Sequence, residues 1–132
     1  MTDKVIYKEL SYELVGCFYD VYNELGPGHK EQIYQEALKI CFNEHNINYK
    51  ERKRLKIKFK GKDIGIYEPD FIIDEKIILE IKSTLPMPNV FEKQLYYYLR
   101  GSDYKVGYLV NFGSDKIDIR RRIYDSIRKY SR

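Results

Sequence analysis

Partway along the 132-residue chain, the apolar residues stop recurring at three- and four-residue steps and begin to alternate. That change of period divides the chain into a helical start and a sheet-forming middle. Leu10, Leu14, Phe18, Val21 and Leu25 form one helical stripe, and Tyr34, Ala37, Leu38 and Cys41 form another. The spacing predicts helices over about 7–25 and 31–45, separated by Gly26-Pro27-Gly28. From Leu55, apolar Leu55, Ile57 and Phe59 alternate with Lys56, Lys58 and Lys60, which describes a half-buried strand with a basic outer face. Gly61-Lys62 reads as a turn. A second strand is expected through Ile64 and Ile66 to Phe71-Ile72-Ile73, then a turn at Asp74-Glu75-Lys76, then a third strand over Ile77–Lys82. Two short turns in succession imply an antiparallel three-strand meander.

Pro86 and Pro88 break the pattern. Asn89 is placed as the N-cap of a third helix, with Glu92 as its capping-box partner, Phe91, Leu95 and Leu99 on the core face, and Gly101 as the stop. Val106–Val110 is almost wholly apolar, as a central strand would be. The strand–helix–strand crossover before it favours parallel pairing with Ile77–Lys82. Ile117, Ile119 and Ile123 suggest a last strand at the edge, and the tail to Arg132 a short basic helix. The expected fold class is therefore α/β: a mixed central sheet, with an antiparallel three-strand meander plus a parallel crossover strand, flanked by helices. The length fits a single domain over 1–132.

Apolar residues make up 43% of the chain and charged residues 33%, enough for a core inside a solvated surface. No apolar run approaches the roughly 18 residues a membrane span requires. The N-terminus has no secretory pattern, so a cytoplasmic protein without a membrane partner is expected. Cys17 and Cys41 fall at apolar helical positions and read as free thiols in the core; no Cys/His spacing suits zinc. His29 and His45 read as surface residues.

Charge is unevenly distributed around a net +4. Eight Lys or Arg residues lie between Lys50 and Lys62, against the single carboxylate Glu51, while six carboxylates and one lysine lie between Asp63 and Glu80. A basic surface beside an acidic cluster suits a phosphate-binding protein with a metal site, and equally a solvated strand face. Lys56, Lys58 and Lys60 are the candidate phosphate contacts.

Pro69-Asp70 and Glu80-Ile81-Lys82 carry the chemistry. Glu80 and Lys82 are two apart on a strand, so their side chains share a face, about 7 Å apart. Asp70, on the preceding strand, can lie across the ladder from Glu80. Close carboxylates repel unless a cation lies between them, and oxygen-only ligation with open positions suits Mg²⁺ or Mn²⁺. Such an ion polarises a phosphoryl oxygen and acidifies a bound water, and a nearby lysine can orient or deprotonate that water. Cross-strand Lys–carboxylate pairs on a solvated face produce the same spacing without any chemistry.

Two further landmarks flank this set. Gly28-x-x-Glu31-x-x-Tyr34 opens the second helix, and Gln94-x-x-x-Tyr98 lies in the third. With Tyr108-Leu109-Val110-Asn111-Phe112-Gly113, the ordered set resembles the PD-(D/E)xK nuclease superfamily, and more closely its small GxxExxY branch, from Leu25 to about Ile123. The resemblance implies a restriction-endonuclease-like core. It implies Asp70 and Glu80 as metal ligands with the Ile81 carbonyl as a third, Lys82 as catalytic lysine, and Glu31 completing or supporting the metal shell. Gln94 and Tyr98 would position the lysine or the nucleic acid. The activity implied is Mg²⁺- or Mn²⁺-dependent hydrolysis of nucleic-acid phosphodiesters, DNA before RNA. The alternatives are a non-cleaving nucleic-acid-binding module or a protein-interaction domain on the same fold. The chain has no room for a separate recognition domain, which leaves specificity to a homodimer or a protein partner.

Overall fold

The computed structural model describes residues 6–124. Helices α1 (Lys8–Leu25) and α2 (Glu31–Glu44) lead into β1 (Tyr49–Glu51), β2 (Leu55–Phe59), β3 (Lys62–Tyr67), β4 (Phe71–Ile73) and β5 (Ile77–Lys82). Then follow α3 (Asn89–Arg100), β6 (Val106–Asn111) and β7 (Asp118–Ile123). Five strands form one mixed sheet in the order β1-β4-β5-β6-β7, in which β5 and β6 run parallel and the other pairs antiparallel. The α/β class, the flanking helices, the parallel crossover and the edge position of β7 agree with the sequence reading. The proposed C-terminal basic helix lies outside the described residues.

The membership of the antiparallel part differs from expectation. The strand expected to run from Ile64 to Ile73 is broken at Glu68-Pro69-Asp70. Pro69 has no N–H to give a ladder, and it is buried where the chain turns from one sheet into the other. Leu55–Phe59 therefore pairs only with β3, in a separate two-stranded sheet closed by Lys60-Gly61, both at positive φ. Its place beside β4 is taken by β1, a three-residue edge strand whose Lys50 and Glu51 gave no apolar pattern to read. At α3, the N-cap is Pro88 and Asn89 is the first helical residue, without a side-chain cap bond. The proline's fixed extended geometry, not an Asn cap, sets that helix start.

Both faces of the sheet are covered. Ile77, Leu79 and Ile81 of β5 face α1 and α2, packing with Leu14, Phe18, Leu38, Phe42 and Phe112. Ile78 faces the other way and joins Ile72, Leu109, Leu55, Tyr67, and Leu95 and Leu99 of α3. Gly107 on β6 admits α3 closely: a Cβ there would lie 2.7 Å from Leu95 Cδ1. Cys17 is buried in the first core and Cys41 is half-buried beside it, both as free thiols. Among the described residues, no helix is long and apolar enough to cross a membrane.

The end of β5 is pinned by a buried amide. Asn111 Oδ1 accepts from the N–H of Thr84 (3.0 Å) and of Gly113 (2.9 Å), and Nδ2 donates to the Thr84 carbonyl (2.9 Å). Gly113 sits directly on Thr84; a Cβ would lie 2.3 Å from Thr84 N and 2.5 Å from its carbonyl oxygen. Backbone cannot move aside as a side chain can. Gly113→Ala should therefore lower stability by about 1–3 kcal/mol. Gly101→Ala, where the nearest atom is 3.5 Å away, should leave the melting temperature almost unchanged. Thermal melts of the two variants check this contrast.

Candidate active site

The β4–β5 ladder ends at the pair Phe71–Leu79. Beyond it, the edge of β5 facing β4 has no strand beside it. The Ile81 N–H on that edge donates instead to Asp70 Oδ2, at 2.7 Å. N–H and C=O of one strand residue point to the same side, so the Ile81 carbonyl is directed toward Asp70 too. The Lys82 carbonyl points the other way and accepts from Phe112 N–H at 2.9 Å. Asp70 thus takes up a position opposite Glu80, and its own N–H reaches Glu80 Oε1 at 3.4 Å.

Glu80 and Lys82 share the face of β5 that carries Ile78, as the spacing requires. That face is not open to solvent along its length. Tyr67, at the end of β3, donates its hydroxyl to Glu80 Oε2. Its ring stacks on Tyr98 of α3, with centroids 3.4 Å apart and planes 6° from parallel. Lys82 Nζ lies 4.2 Å from the centre of the Phe91 ring, one helical turn before Leu95. A cation over an aromatic face is held by the ring quadrupole. Asp70, Glu80 and Lys82 therefore gather in a half-buried recess walled by Tyr67, Phe91 and Tyr98.

Burial first, and the neighbouring Asp70 charge second, push the Glu80 carboxyl up to about 8. The Tyr67 hydroxyl also resists ionisation, through burial first and the Glu80 charge second. A carboxyl that keeps its proton near neutrality for lack of a counter-charge can be ionised by a divalent cation. The donor set fits such an ion: two carboxylates and a backbone carbonyl, all oxygen, on a partly open edge. Among the described residues no three His, Cys, Asp or Glu side chains cluster to hold a metal, so water would complete the shell, as Mg²⁺ prefers.

The remaining expected site residues are placed differently. Glu31 is exposed in the first turn of α2, on the opposite layer, and does not join the two carboxylates in a metal-binding group. Its helix start is nonetheless tied to the site: the Ser83 hydroxyl, next to Lys82, donates to the His29 carbonyl. Tyr34 of the same motif is fully buried, stacked on Phe112 at 4.4 Å, and its hydroxyl donates to the Gly26 carbonyl at 2.6 Å. It fastens the loop that turns α1 into α2. Gln94 is exposed on α3 between the recess and solvent, while Tyr98 reaches the site through Tyr67. Lys56 and Lys58 on the hairpin share the carboxylate of Asp63, at 3.5 and 2.6 Å; Lys60 lies over Phe59. His29 and His45 are both at the surface.

Tyr67 was not visible as a site residue in the sequence. Its role follows from the break at Pro69, which sends β3 across the sheet face instead of along β5. Alternation alone carries no signal for that.

A family model described as the PD-(D/E)XK nuclease superfamily matches residues 8–123. Comparison with curated proteins gave no match, nor did comparison with solved structures. The fold places Pro69-Asp70 and Glu80-Ile81-Lys82, the residues that spell that superfamily's motif, around one strand end, and the match runs through every element described: the chain belongs to the PD-(D/E)XK nuclease superfamily.

Proposed function

We propose that this chain is a divalent-metal-dependent nuclease of the small GxxExxY branch, hydrolysing phosphodiester bonds of DNA in preference to RNA. The convergence of the Asp70 and Glu80 carboxylates beside Lys82, at the point where β5 loses its neighbour, carries the reading. Asp70, Glu80 and the Ile81 carbonyl would hold Mg²⁺ or Mn²⁺, with Glu31 supporting the shell through water. When bound, the ion polarises a phosphoryl oxygen and acidifies a water. Lys82, held as an ammonium against Phe91, would orient that water by donating to it and would offset charge building on the phosphate, the water's proton leaving to solvent. Tyr67 holds the Glu80 carboxylate in one rotamer, and Tyr98 holds Tyr67. Gln94 and Tyr98 contact the strand being cut, and Lys56, Lys58 and Lys60 contact its phosphates. A non-cleaving binding module would keep these contacts without the water-activating step. Specificity would come from a homodimer or a protein partner.

Lys82→Ala should reduce cleavage by ~10²–10⁴-fold while metal still raises the melting temperature. Asp70→Asn should lose both cleavage and the metal-induced shift. Assays of single- and double-stranded substrates with Mn²⁺ or Mg²⁺, beside melting curves, test this. A metal-induced shift in the wild type without cleavage of any substrate would leave the binding module standing.

Glu80 also fixes a pH dependence. Its carboxyl titrates near 4.5 in the unfolded chain and near 8 in the fold, so the folded state binds more protons between those values. Metal-free stability should then fall as pH rises through that window, and Glu80→Gln should flatten the dependence. Metal binding displaces the same proton, so metal affinity should rise with pH over the same range. Melting temperature against pH, with and without Mg²⁺, measures both slopes.

A further inference from the structure

Helix α3 borders two different recesses. Phe91 and Tyr98 face the carboxylates. Around the helix, past exposed Gln94, lies a second face built from Lys93, Tyr97 and Arg100, spaced four and three residues apart. With Tyr96, Glu92 and Arg122 of β7 these line a groove of about 590 Å³. Glu92, its single carboxylate, is already bonded by Arg120 at 2.9 Å and by Arg122. Lys93 and Arg100 have no ion pair among the described residues, so the groove keeps a positive surplus. Tyr97 is 60% exposed; its ring stands edge-on to Tyr96, with centroids 6.3 Å apart. Beyond that single edge contact the Tyr97 ring stays open to solvent, between two cations that are unpaired among the described residues.

We propose that this α3–β7 groove binds a single-stranded segment of the nucleic acid that enters the Asp70–Glu80 site, with phosphates on Lys93 and Arg100 and a base stacked on Tyr97. The inference rests on the nuclease reading of that site and names the form of substrate it takes. Charge favours a nucleic acid and stacking favours a single strand. The charge surplus is complementary to a phosphate backbone. A tyrosine face can stack on a base only where that base is unpaired or splayed out. Gln94, between the two recesses, would lie under the strand as it passes from one to the other.

The test is fluorescence anisotropy on the full chain without divalent metal, using labelled oligo-dT, oligo-rU and a blunt duplex. Single strands should bind with an affinity that falls steeply with salt. Lys93→Ala/Arg100→Ala should weaken binding and flatten the log K against log salt slope by roughly 1.4, the value for two phosphate contacts. Tyr97→Ala should weaken binding on the order of tenfold at unchanged slope. All three side chains are exposed, so the variants should melt with the wild type. Binding of either oligo-dT or oligo-rU with these effects supports the groove, and the better ligand gives the sugar preference. Wild-type affinity and slope in both variants, preference for the blunt duplex, or no binding of single strands would each overturn it. Metal-dependent cleavage lost in Lys82→Ala but untouched by the groove variants would sink the groove alone. Groove-dependent binding with no cleavage under any metal would sink the nuclease reading alone.

Discussion

The bond from Ile81 N–H to Asp70 Oδ2 replaces a rung of the sheet with a side chain. It forms because β4 is only three residues long and Pro69, two residues before its first residue, cannot extend the ladder. A strand that continued past Phe71 would have satisfied Ile81 with backbone and left no space for a carboxylate beside Glu80. The acidic pair, the direction of the Ile81 carbonyl and the position of Lys82 all descend from that substitution. So does the hairpin, since the same break releases β3 from the main sheet and brings Tyr67 over Glu80.

The arrangement sets charge inside a covered layer, which is costly unless each group has a partner. Tyr67 and the Asp70 amide supply hydrogen bonds to Glu80, but burial, and after it the Asp70 charge, still hold the Glu80 carboxyl well above the usual range. Lys82 turns toward Phe91. The surroundings hold the three groups in place without neutralising them among themselves. A self-contained salt-bridge network would have done the opposite.

The sequence was informative where one element's own pattern sets the outcome. Leu10 to Leu25 and Leu95 with Leu99 carry helical stripes wide enough to mark their buried faces. Glu80 and Lys82 stand out because two charges interrupt an apolar strand on the same side. The sequence was uninformative where neighbours decide. Ile64, Ile66 and Phe71 look continuous with one another, and only the packing of Pro69 separates them into two sheets. Tyr49–Glu51 is too short and too charged to show a period, yet it completes the edge. Glu31 fits a motif by spacing, but spacing says nothing of which layer its helix occupies.

The β2–β3 hairpin shares no backbone bond with the main sheet and rests on it through Leu55 and Tyr67 at its base. Half-buried Ile57 packs against the same cluster, and beyond it the Lys60-Gly61 tip and the exposed Phe59, Ile64 and Ile66 stand clear of the carboxylates. Substitutions at the tip of this arm would therefore change its charge without moving the carboxylates beneath it. The fold divides into a body that carries the carboxylates and a projecting arm, with the joint at Tyr67.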